Sequence, residues 1–291
     1  MIKSPHYSVS MIKIKKLTPL PLLLSILSLI LALPGRAQDS LPRPVTSIYR
    51  LEMGGANARS TYLSPLRYSG SFFGAAGEWT KAFRKNPDHL VMTFAGEMNF
   101  RNMLNPPHSA RMLGLDARFN WGMAYRWRLP YNLQLMAGGM LDIDGGALYL
   151  TRNGNNPVTV LASAGIDLDV SLSYHFNIGK LPILISDRIQ LQTLGAFFCP
   201  QYGETYYEIY LGNHNGLAHC GWWGNNFGIG NMLSVKLDFG RTAMEIGYRY
   251  DYRSFFANNL VTRTALNSFV IGVIPQGLGL KKKVKANYSL Y

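Results

Sequence analysis

Three side chains near the middle of the chain combine the residue types of a hydrolytic triad. They are Asp169, Ser173 and His175, which are separated by even numbers of positions within VTVLASAGIDLDVSLSYHF, residues 158–176. A nucleophile, a histidine base and an acidic group that orients the base could support acyl transfer if the fold brought them together. Alternate residues of one strand lie about 6.8 Å apart, which is too far for a proton relay along that strand. We therefore expect a protein that is not an enzyme and retain a hydrolase as an alternative.

A second set of reactive side chains lies further along the chain. His214, His219 and Cys220 could ligate a metal ion, but their spacing matches none of the common zinc patterns. The glycines of GNNFGIG, 224–230, lack the strand–loop–helix context of a phosphate-binding loop. The sequence therefore predicts no metal site and no cofactor.

The largest chemical set consists of charged residues of both signs that alternate with apolar residues. These are Glu97, Arg101, Asp116, Arg118, Asp142, Asp144, Asp167, Asp169, His175, Arg188, Lys236, Asp238, Glu245, Arg249, Asp251 and Arg253. If they share an enclosed interior, their mixed signs favour a network of ion pairs and hydrogen bonds. A path for small solutes through that interior is the alternative.

The segments that carry these charges read as unusually long β-strands. Residues 158–176 alternate strictly between two faces. Every second residue from Val158 to Phe176 lies on an apolar face, and the residues between them form a polar face on which Leu161 is the one large apolar residue. A typical strand in a globular protein has about five or six residues. Similar patterns occur at 90–101, 113–128, 132–144, 183–198, 227–239, 242–253 and 265–274, and weaker ones at 46–55 and 70–83.

The length and the alternation together predict the fold class. A soluble sandwich uses short strands around a core, whereas a transmembrane barrel uses long strands with one face toward lipid and one toward the lumen. We predict an all-β fold, an antiparallel transmembrane β-barrel of about ten strands. A hairpin inside 200–225 would make twelve. A soluble periplasmic β-sandwich binding module is the alternative.

The connectors between the predicted strands alternate in length. Longer ones are read at 56–69, 102–110, 151–157, 200–225 and 254–264. Shorter ones are read at 84–88, 129–131, 178–182 and 238–241. Outer-membrane barrels have short periplasmic turns and longer outer loops, so this alternation predicts both termini on the periplasmic side.

The amino terminus carries the signals of export. Basic residues precede the apolar run LTPLPLLLSILSLILAL, and small residues follow, which predicts a signal peptide over 1–37 cleaved after Ala37. The barrel then covers 38–274, followed by a basic tail, 275–291. Cleavage lowers the formal charge from +13 to +8, because 24 basic residues remain against 16 acidic ones. The expected location is the outer membrane, with its lipid and the barrel-insertion machinery as partners and no nucleic acid.

The longest connector is the best candidate for a recognition surface. The stretch CPQYGETYYEIYLGNHNGLAHCGWW, 199–223, combines aromatic rings with amide groups, which suits a glycan or a protein ligand. The candidates are Tyr202, Tyr206, Tyr207, Tyr210, Asn213, His214 and Asn215. Trp222 and Trp223 fit an interfacial girdle better. Cys199 and Cys220, the two cysteines, flank this loop, and we expect a disulfide between them in an exported protein.

Several stretches resemble a known family of exported Bacteroidota proteins, which is catalogued as a domain of unknown function. They are TYLSPLRY (61–68), NWGMAYRW (120–127), GGMLDIDGGALYLTRNGNNP (138–157), PQYGETYYEIYLGNHNG (200–216) and NNLVTRTALNSFVIG (258–272). The resemblance implies a cell-envelope protein with a barrel-type fold and carries no activity with it. The chain departs from the family pattern at Cys199, where serine is expected, and in its tail after Ile274. The specific role therefore stays open among structural support, surface recognition and limited solute passage.

Overall fold

The computed structural model describes residues 45–240 and 242–275, which form eleven β-strands and one short helix. The strands are β1 (Val45–Ser60), β2 (Ser64–Ala82), β3 (Leu90–Leu104), β4 (Arg111–Leu129), β5 (Leu133–Leu150), β6 (Val158–Ile178), β7 (Leu181–Phe198), β8 (Ala218–Trp222), β9 (Asn226–Asp238), β10 (Ala243–Ala257) and β11 (Leu260–Ile274). Helix α1 is Tyr206–Tyr210. The predicted signal peptide and nearly all of the predicted basic tail lie outside the described residues.

Strand pairing closes the sheet into an antiparallel barrel. Each strand from β1 to β7 pairs with the next, and β7, β9, β10 and β11 continue the series until β11 pairs with β1. Strands β8 and β9 together occupy the place of a single strand in the barrel wall, because β7 pairs with β8 through 194–198 and with β9 through 183–191. The prediction of ten strands is therefore confirmed. The segment 200–225 contributes the short strand β8 and not the hairpin that would have made twelve strands.

A short turn separates β8 from β9. The backbone N–H of Asn225 donates to the carbonyl of Trp222 at 2.9 Å and closes this turn. The indole of Trp223 donates to the carbonyl of Gln192, which lies in the gap between the two sets of ladder pairs. The irregularity thus keeps a backbone acceptor of β7 satisfied where regular pairing stops.

The barrel has an apolar outer face and a polar lumen. On β4, Asp116, Arg118 and Asn120 are buried, whereas Phe119 and Trp121 in the alternate register are exposed. Strand β6 runs for 21 residues with the same alternation. This is the polarity of a transmembrane barrel, and it confirms the interpretation of the period-two pattern. No helix among the described residues has the length and apolar character of a membrane-spanning helix.

Two connectors that we predicted to be long are extended hairpins. Strands β1 and β2 continue to a turn at 61–63, and β10 and β11 meet at Asn258–Asn259, both of which have positive φ, 51° and 59°. Two consecutive residues in this conformation make the tight turn that suits a hairpin. Polar residues such as Asn57, Arg59 and Arg263 interrupt the outward apolar register and imitate a loop, but the ladder continues through them. The predictions of long loops at 56–69 and 254–264 were therefore wrong.

The two ends of the barrel are defined by these connections. The base contains the start of β1, the end of β11 and the connectors 83–89, 130–132, 179–180 and 239–242. The loop end contains the connectors 61–63, 105–110, 151–157, 199–217 and 258–259. Only the 199–217 connector is much longer than those of the base, so the predicted alternation of length is weaker than expected.

Apolar side chains fill the lumen at both ends. The loop-end plug is a cluster of inward-facing residues from seven strands and two connectors: Ala56, Ala58, Leu63, Tyr68, Phe72, Met103, Ala110, Met112, Leu148, Leu150, Leu161 and Leu266. At the base, a smaller cluster contains Ile48, Leu184, Ala243 and Ile274. Most of the charged lumen residues therefore lie between these two clusters, while Lys236 and Asp238 are level with the base cluster, opposite Leu184 and Ala243.

Candidate functional site

Arg118 is the centre of the charged network in the middle of the lumen. Its guanidinium lies 2.8 Å from Asp251, 3.2 Å from Glu97 and 3.5 Å from Asp144. Asp251 reaches it from β10 across the lumen, whereas Glu97 and Asp144 come from the strands on either side of β4. A guanidinium has five donors in a planar fork, which suits several carboxylates at once.

Further arginines extend the network around the wall. Arg249 lies 2.6 Å from Glu97 and 3.0 Å from Glu52. Arg253 donates to both carboxylate oxygens of Asp142 at 3.0 Å. These contacts link strands that are distant along the chain, so the network connects opposite walls.

A second group of ion pairs lies closer to the base. Arg50 lies 2.6 Å from Glu245 and 3.1 Å from Glu78. Arg188 lies 2.8 Å from the same Glu78 and 2.7 Å from Asp169. Each carboxylate in this group thus meets at least one guanidinium, as burial of charge requires.

The remaining sequence-predicted lumen residues occupy varied positions. Arg101 and Asp116 form a buried ion pair, and Lys236 lies 3.6 Å from Glu245. The carboxylate of Asp238 accepts from the backbone N–H of Gly240. Asp167 is buried, and its Oδ1 has no hydrogen-bond partner among the described residues.

Sequence reasoning missed three members of the network. Arg50, Glu52 and Glu78 lie on β1 and β2, which we read as weak strands because glycine and alanine dilute their alternation. Arg50 and Glu52 nevertheless alternate with Tyr49, Leu51 and Met53, and this signal could have identified them.

Little space remains between these side chains. Two interior cavities at the level of the network measure about 50 Å³ and about 70 Å³. The larger one lies between the Arg50–Arg188 group and the serines of β6 and β7. A single water occupies about 30 Å³ of liquid, so each cavity has room for only a few water molecules. A ten-stranded wall is narrow enough for side chains to close it in this way.

The hydrolytic triad that the sequence suggested is not assembled. Asp169 is engaged by Arg188, and neither Ser173 nor His175 approaches it through a hydrogen bond among the described residues. Ser173 and His175 lie two positions apart on β6, opposite Ser186 and Leu184 of β7. No catalytic geometry results from these three residues.

The 199–217 loop is pinned over the loop end. The hydroxyl of Tyr62 donates to the carbonyl of Glu204 at 2.7 Å, and the hydroxyl of Tyr206 accepts from the backbone N–H of Val160 at 2.7 Å. The rings of Tyr62 and Tyr206 meet edge to face at 5.8 Å. Burial, with Tyr206 and Glu204 nearby, raises the pKa of Tyr62 to about 12, so its hydroxyl stays a donor.

Hydrogen bonds within the loop fix its shape. The buried carboxylate of Glu204 accepts from the backbone N–H of Gln201 at 2.9 Å and from the amide of Asn213 at 2.7 Å. Thr205 and Glu208 form a reciprocal capping box at the start of α1, and these bonds lower the pKa of Glu208. Asn258 donates to the carbonyls of Pro200 and Gly216 and ties the loop to the β10–β11 turn.

The structure divides the predicted recognition residues into two groups. Tyr206 and Asn213 anchor the loop from within. Tyr202, Tyr207 and Tyr210 project into solvent with 78 %, 68 % and 83 % exposure. His214 and Asn215 are exposed beside them. The loop therefore presents a patch of free tyrosine rings on a fixed frame, which we call the tyrosine face (Tyr202, Tyr207 and Tyr210).

One family model matches most of the chain. The family described as "Protein of unknown function (DUF3316)" matches residues 20–284. The chain belongs to this family. Comparison with curated proteins gives no match.

Among solved structures, the chain is similar to several surface and transport proteins of Gram-negative bacteria. Neisserial surface protein A has 10% sequence identity and a TM-score of 0.32, over 80% of this chain and 99% of that one. The translocator domain of autotransporter NalP from Neisseria meningitidis has 9% identity and a TM-score of 0.38, over 88% and 96%. The transport unit of autotransporter AIDA-I from Escherichia coli has 7% identity and a TM-score of 0.41, over 84% and 93%.

The predicted disulfide is not formed. Cys199 and Cys220 are both free thiols, the first buried and the second exposed. Cys199 pairs with Leu217 through its backbone, and Cys220 lies three residues further along, opposite Ala196. An odd offset in a ladder places the two side chains on opposite faces, so their sulfurs point apart. The prediction failed because it treated the cysteines as the two bases of an unstructured loop.

Each thiol has a distinct environment. The thiol of Cys199 lies 3.6 Å from the carbonyl oxygens of Pro200 and Ala257, and burial raises its pKa to about 11. His219 and Cys220 do not converge with His214, and the described residues contain no group of three or more potential metal ligands.

Proposed function

We propose that this chain is an outer-membrane β-barrel with a closed lumen, which acts at its loop-end surface and does not conduct solutes. The observation that carries the proposal is the filling of the lumen. Ion pairs cross its middle, apolar clusters close both ends, and the cavities at the level of the network measure only about 50 and 70 Å³.

The outer face supports a membrane location. Exposed aromatic residues surround the base: Tyr49, Trp79, Tyr125, Trp127, Tyr174 and Phe239. Others lie toward the loop end: Tyr149, Trp222, Trp223 and Phe256. Further exposed aromatic residues, among them Trp121 and Tyr248, lie between these two levels on the same outer face. An apolar outer wall with aromatic residues at both ends suits a barrel in a bilayer. Outer-membrane lipid and the barrel-insertion machinery are the partners that this location implies.

The predicted signal peptide supports export of the barrel to the outer membrane, and the sequence resemblance supports the envelope of a Bacteroidota cell as its setting. Cell fractionation tests this part of the proposal. We expect the mature chain in the outer-membrane fraction, beginning at Gln38, with a gel mobility that changes on heating. Recovery as a soluble periplasmic protein without heat-modifiable mobility would contradict it.

The tyrosine face is the surface on which we propose ligand recognition. Flat rings stack on the apolar faces of sugars while hydroxyl and amide groups hydrogen-bond to their rims, so a glycan is the ligand class that this patch fits best. The pinned loop holds the rings in place before binding, which reduces the entropy lost on association.

A printed oligosaccharide array probes this surface directly. We expect the folded barrel to bind a subset of glycans and the triple variant Tyr202→Ala, Tyr207→Ala, Tyr210→Ala to lose that binding. Tyr149→Ala, which removes an exposed ring from the outer wall, is the matched control and should bind as the unmodified protein does. Absence of binding to every glycan, or binding that the triple variant retains, would overturn the recognition proposal.

A further inference from the structure

Two arginines stand side by side on the outer wall near the loop end. Arg59 of β1 and Arg263 of β11 are direct cross-strand partners. Both are exposed, while their chain neighbours Ala58, Ser60 and Thr264 are buried, so the two guanidinium groups point away from the lumen. Side chains of direct partners start about 5 Å apart, which places two positive charges together.

No acidic group in the part of the chain that the structure describes compensates these charges. Neither Arg59 nor Arg263 has an ion pair or a side-chain hydrogen bond within 45–240 and 242–275. Like charges directly opposite each other destabilise a sheet unless a counter-charge joins them. Every arginine discussed above in the lumen has an acidic partner, so this pair on the outer wall is distinctive.

A third arginine lies beside the pair on the next strand. Arg67 of β2 is exposed, and its guanidinium donates to the side-chain oxygen of Asn57 at 2.8 and 3.2 Å. Ser69 donates to the same oxygen at 2.7 Å. These bonds hold Arg67 against the wall and leave donors of its guanidinium directed outward.

An open cleft adjoins the arginines on their other side. It measures about 200 Å³ and is lined by Arg263, Ser254, Trp223, Phe227, Phe256 and Val261. The ladder places Phe227 opposite Ser254, and Ser254 opposite Arg263. One row of cross-strand partners thus runs from an aromatic ring through a hydroxyl to the two arginines.

We propose that this arginine row (Arg59, Arg67 and Arg263) binds the phosphate of a lipid headgroup in the membrane leaflet at the loop end. The inference rests on the proposed membrane location. Guanidinium groups bind phosphate through paired, charge-assisted hydrogen bonds, and the cleft beside them, lined by both polar and aromatic side chains, offers further contacts to the same lipid. The row faces outward on the wall of the barrel, so its ligand comes from the surrounding leaflet. A soluble anion would lack the contact with the cleft.

Binding of lipid A to the full chain in non-ionic detergent tests the proposal. The probes are diphosphorylated lipid A and the same lipid after removal of both phosphates, with inorganic phosphate as a competitor. We expect the phosphorylated lipid to bind at least about tenfold more tightly, as the loss of a charge-assisted hydrogen bond predicts. The double variant Arg59→Gln, Arg263→Gln should lose this preference. Millimolar inorganic phosphate should not displace the lipid.

The charge-matched control removes two arginines elsewhere at the same end. Arg111→Gln, Arg152→Gln changes exposed residues of β4 and of the 151–157 connector and should keep the preference. Equal loss in both double variants, equal binding of both lipids or displacement by inorganic phosphate would overturn the proposal. High salt should weaken wild-type binding of the phosphorylated lipid, a readout that needs no variant. A barrel that shows heat-modifiable mobility but no headgroup preference contradicts this inference alone.

Discussion

The middle and the loop end of the lumen are closed by opposite means. In the middle, Arg118 is surrounded by the carboxylates of Asp251, Glu97 and Asp144, so charge is buried against charge. At the loop end, the same inward register carries hydrocarbon and sulfur, including Met112 and Leu148, both fully buried. One barrel interior thus contains an ionic layer and an apolar plug, on strands that pass through both.

The ionic layer and the apolar plug respond differently when one side chain is truncated. Removal of one ion from the network leaves other buried ions without compensation, whereas removal of an apolar side chain leaves a cavity that its neighbours partly fill. The network specifies which strands face each other, because a guanidinium meets its carboxylates in only one register. The plug excludes water and needs only the right volume.

The largest expected effect comes from the centre of the network. Arg118→Ala should lower the free energy of unfolding by about 3–5 kcal/mol, because four carboxylates, those of Asp251, Glu97, Asp144 and Asp142, lose a buried partner. Urea unfolding of the barrel in phospholipid vesicles measures it. The control Arg152→Ala removes an exposed arginine from a connector and should change stability by less than about 0.5 kcal/mol. Equal effects of the two variants would show that the network does not stabilise the barrel.

The plug should respond to volume. Leu148→Ala should cost about 2–5 kcal/mol through lost burial and a residual cavity, and the volume-conserving Leu148→Met less than about 1.5 kcal/mol. The same unfolding assay compares the two variants. If methionine is as harmful as alanine, the plug depends on specific shape, and the contrast with the ionic layer disappears.

The cost of placing a charged residue on the outer wall should depend on its depth in the membrane. Phe119 and Leu168 are each 44 % exposed near the middle of β4 and β6. Arginine at either position should cost about 2–4 kcal/mol in a bilayer, and arginine at Leu129 or Ile178, at the base ends of the same strands and in the same register, about 0–1 kcal/mol. Folding yield into vesicles and urea titration provide the comparison. Tolerance of both central substitutions would contradict the membrane-facing assignment.

The smallest effect concerns the two thiols, which the register places on opposite faces. In the folded barrel, maleimide should label exposed Cys220 and spare Cys199, whose buried thiol stays protonated below its raised pKa of about 11. Mass spectrometry of non-reduced peptides identifies the labelled residue. A Cys199–Cys220 linked peptide from native envelopes would contradict the register at β7 and β8.

The long strands were predictable because their alternation is strict. In β4 and β6 the outward positions are almost all apolar and the inward ones are mostly polar residues or glycine, and the burial of these strands follows the sequence pattern. Leu161, the one large apolar residue of the polar register in β6, belongs to the loop-end plug. Its departure from the pattern marked the depth at which the lumen changes from ionic to apolar.

Features that depend on pairing between strands were beyond the sequence. The extension of β1 into Arg59 and of β11 into Arg263 is invisible along the chain, because these two arginines interrupt the apolar outward register. Whether Cys199 and Cys220 point to the same face of the sheet depends on the register between β7 and β8, which local periodicity does not determine. The division of the loop tyrosines into anchors and exposed rings depends on contacts with Tyr62 and Val160, far away in the chain.

Single-channel recording in planar bilayers tests the closed lumen most directly. With the middle filled by ion pairs and both ends covered by apolar clusters, the unmodified barrel should produce no stable current steps, while an open sixteen-stranded porin in the same bilayers conducts. Insertion is verified beforehand by heat-modifiable mobility, so that a lack of current is not mistaken for a lack of inserted protein. Large, stable single-channel currents from the unmodified protein would contradict the account.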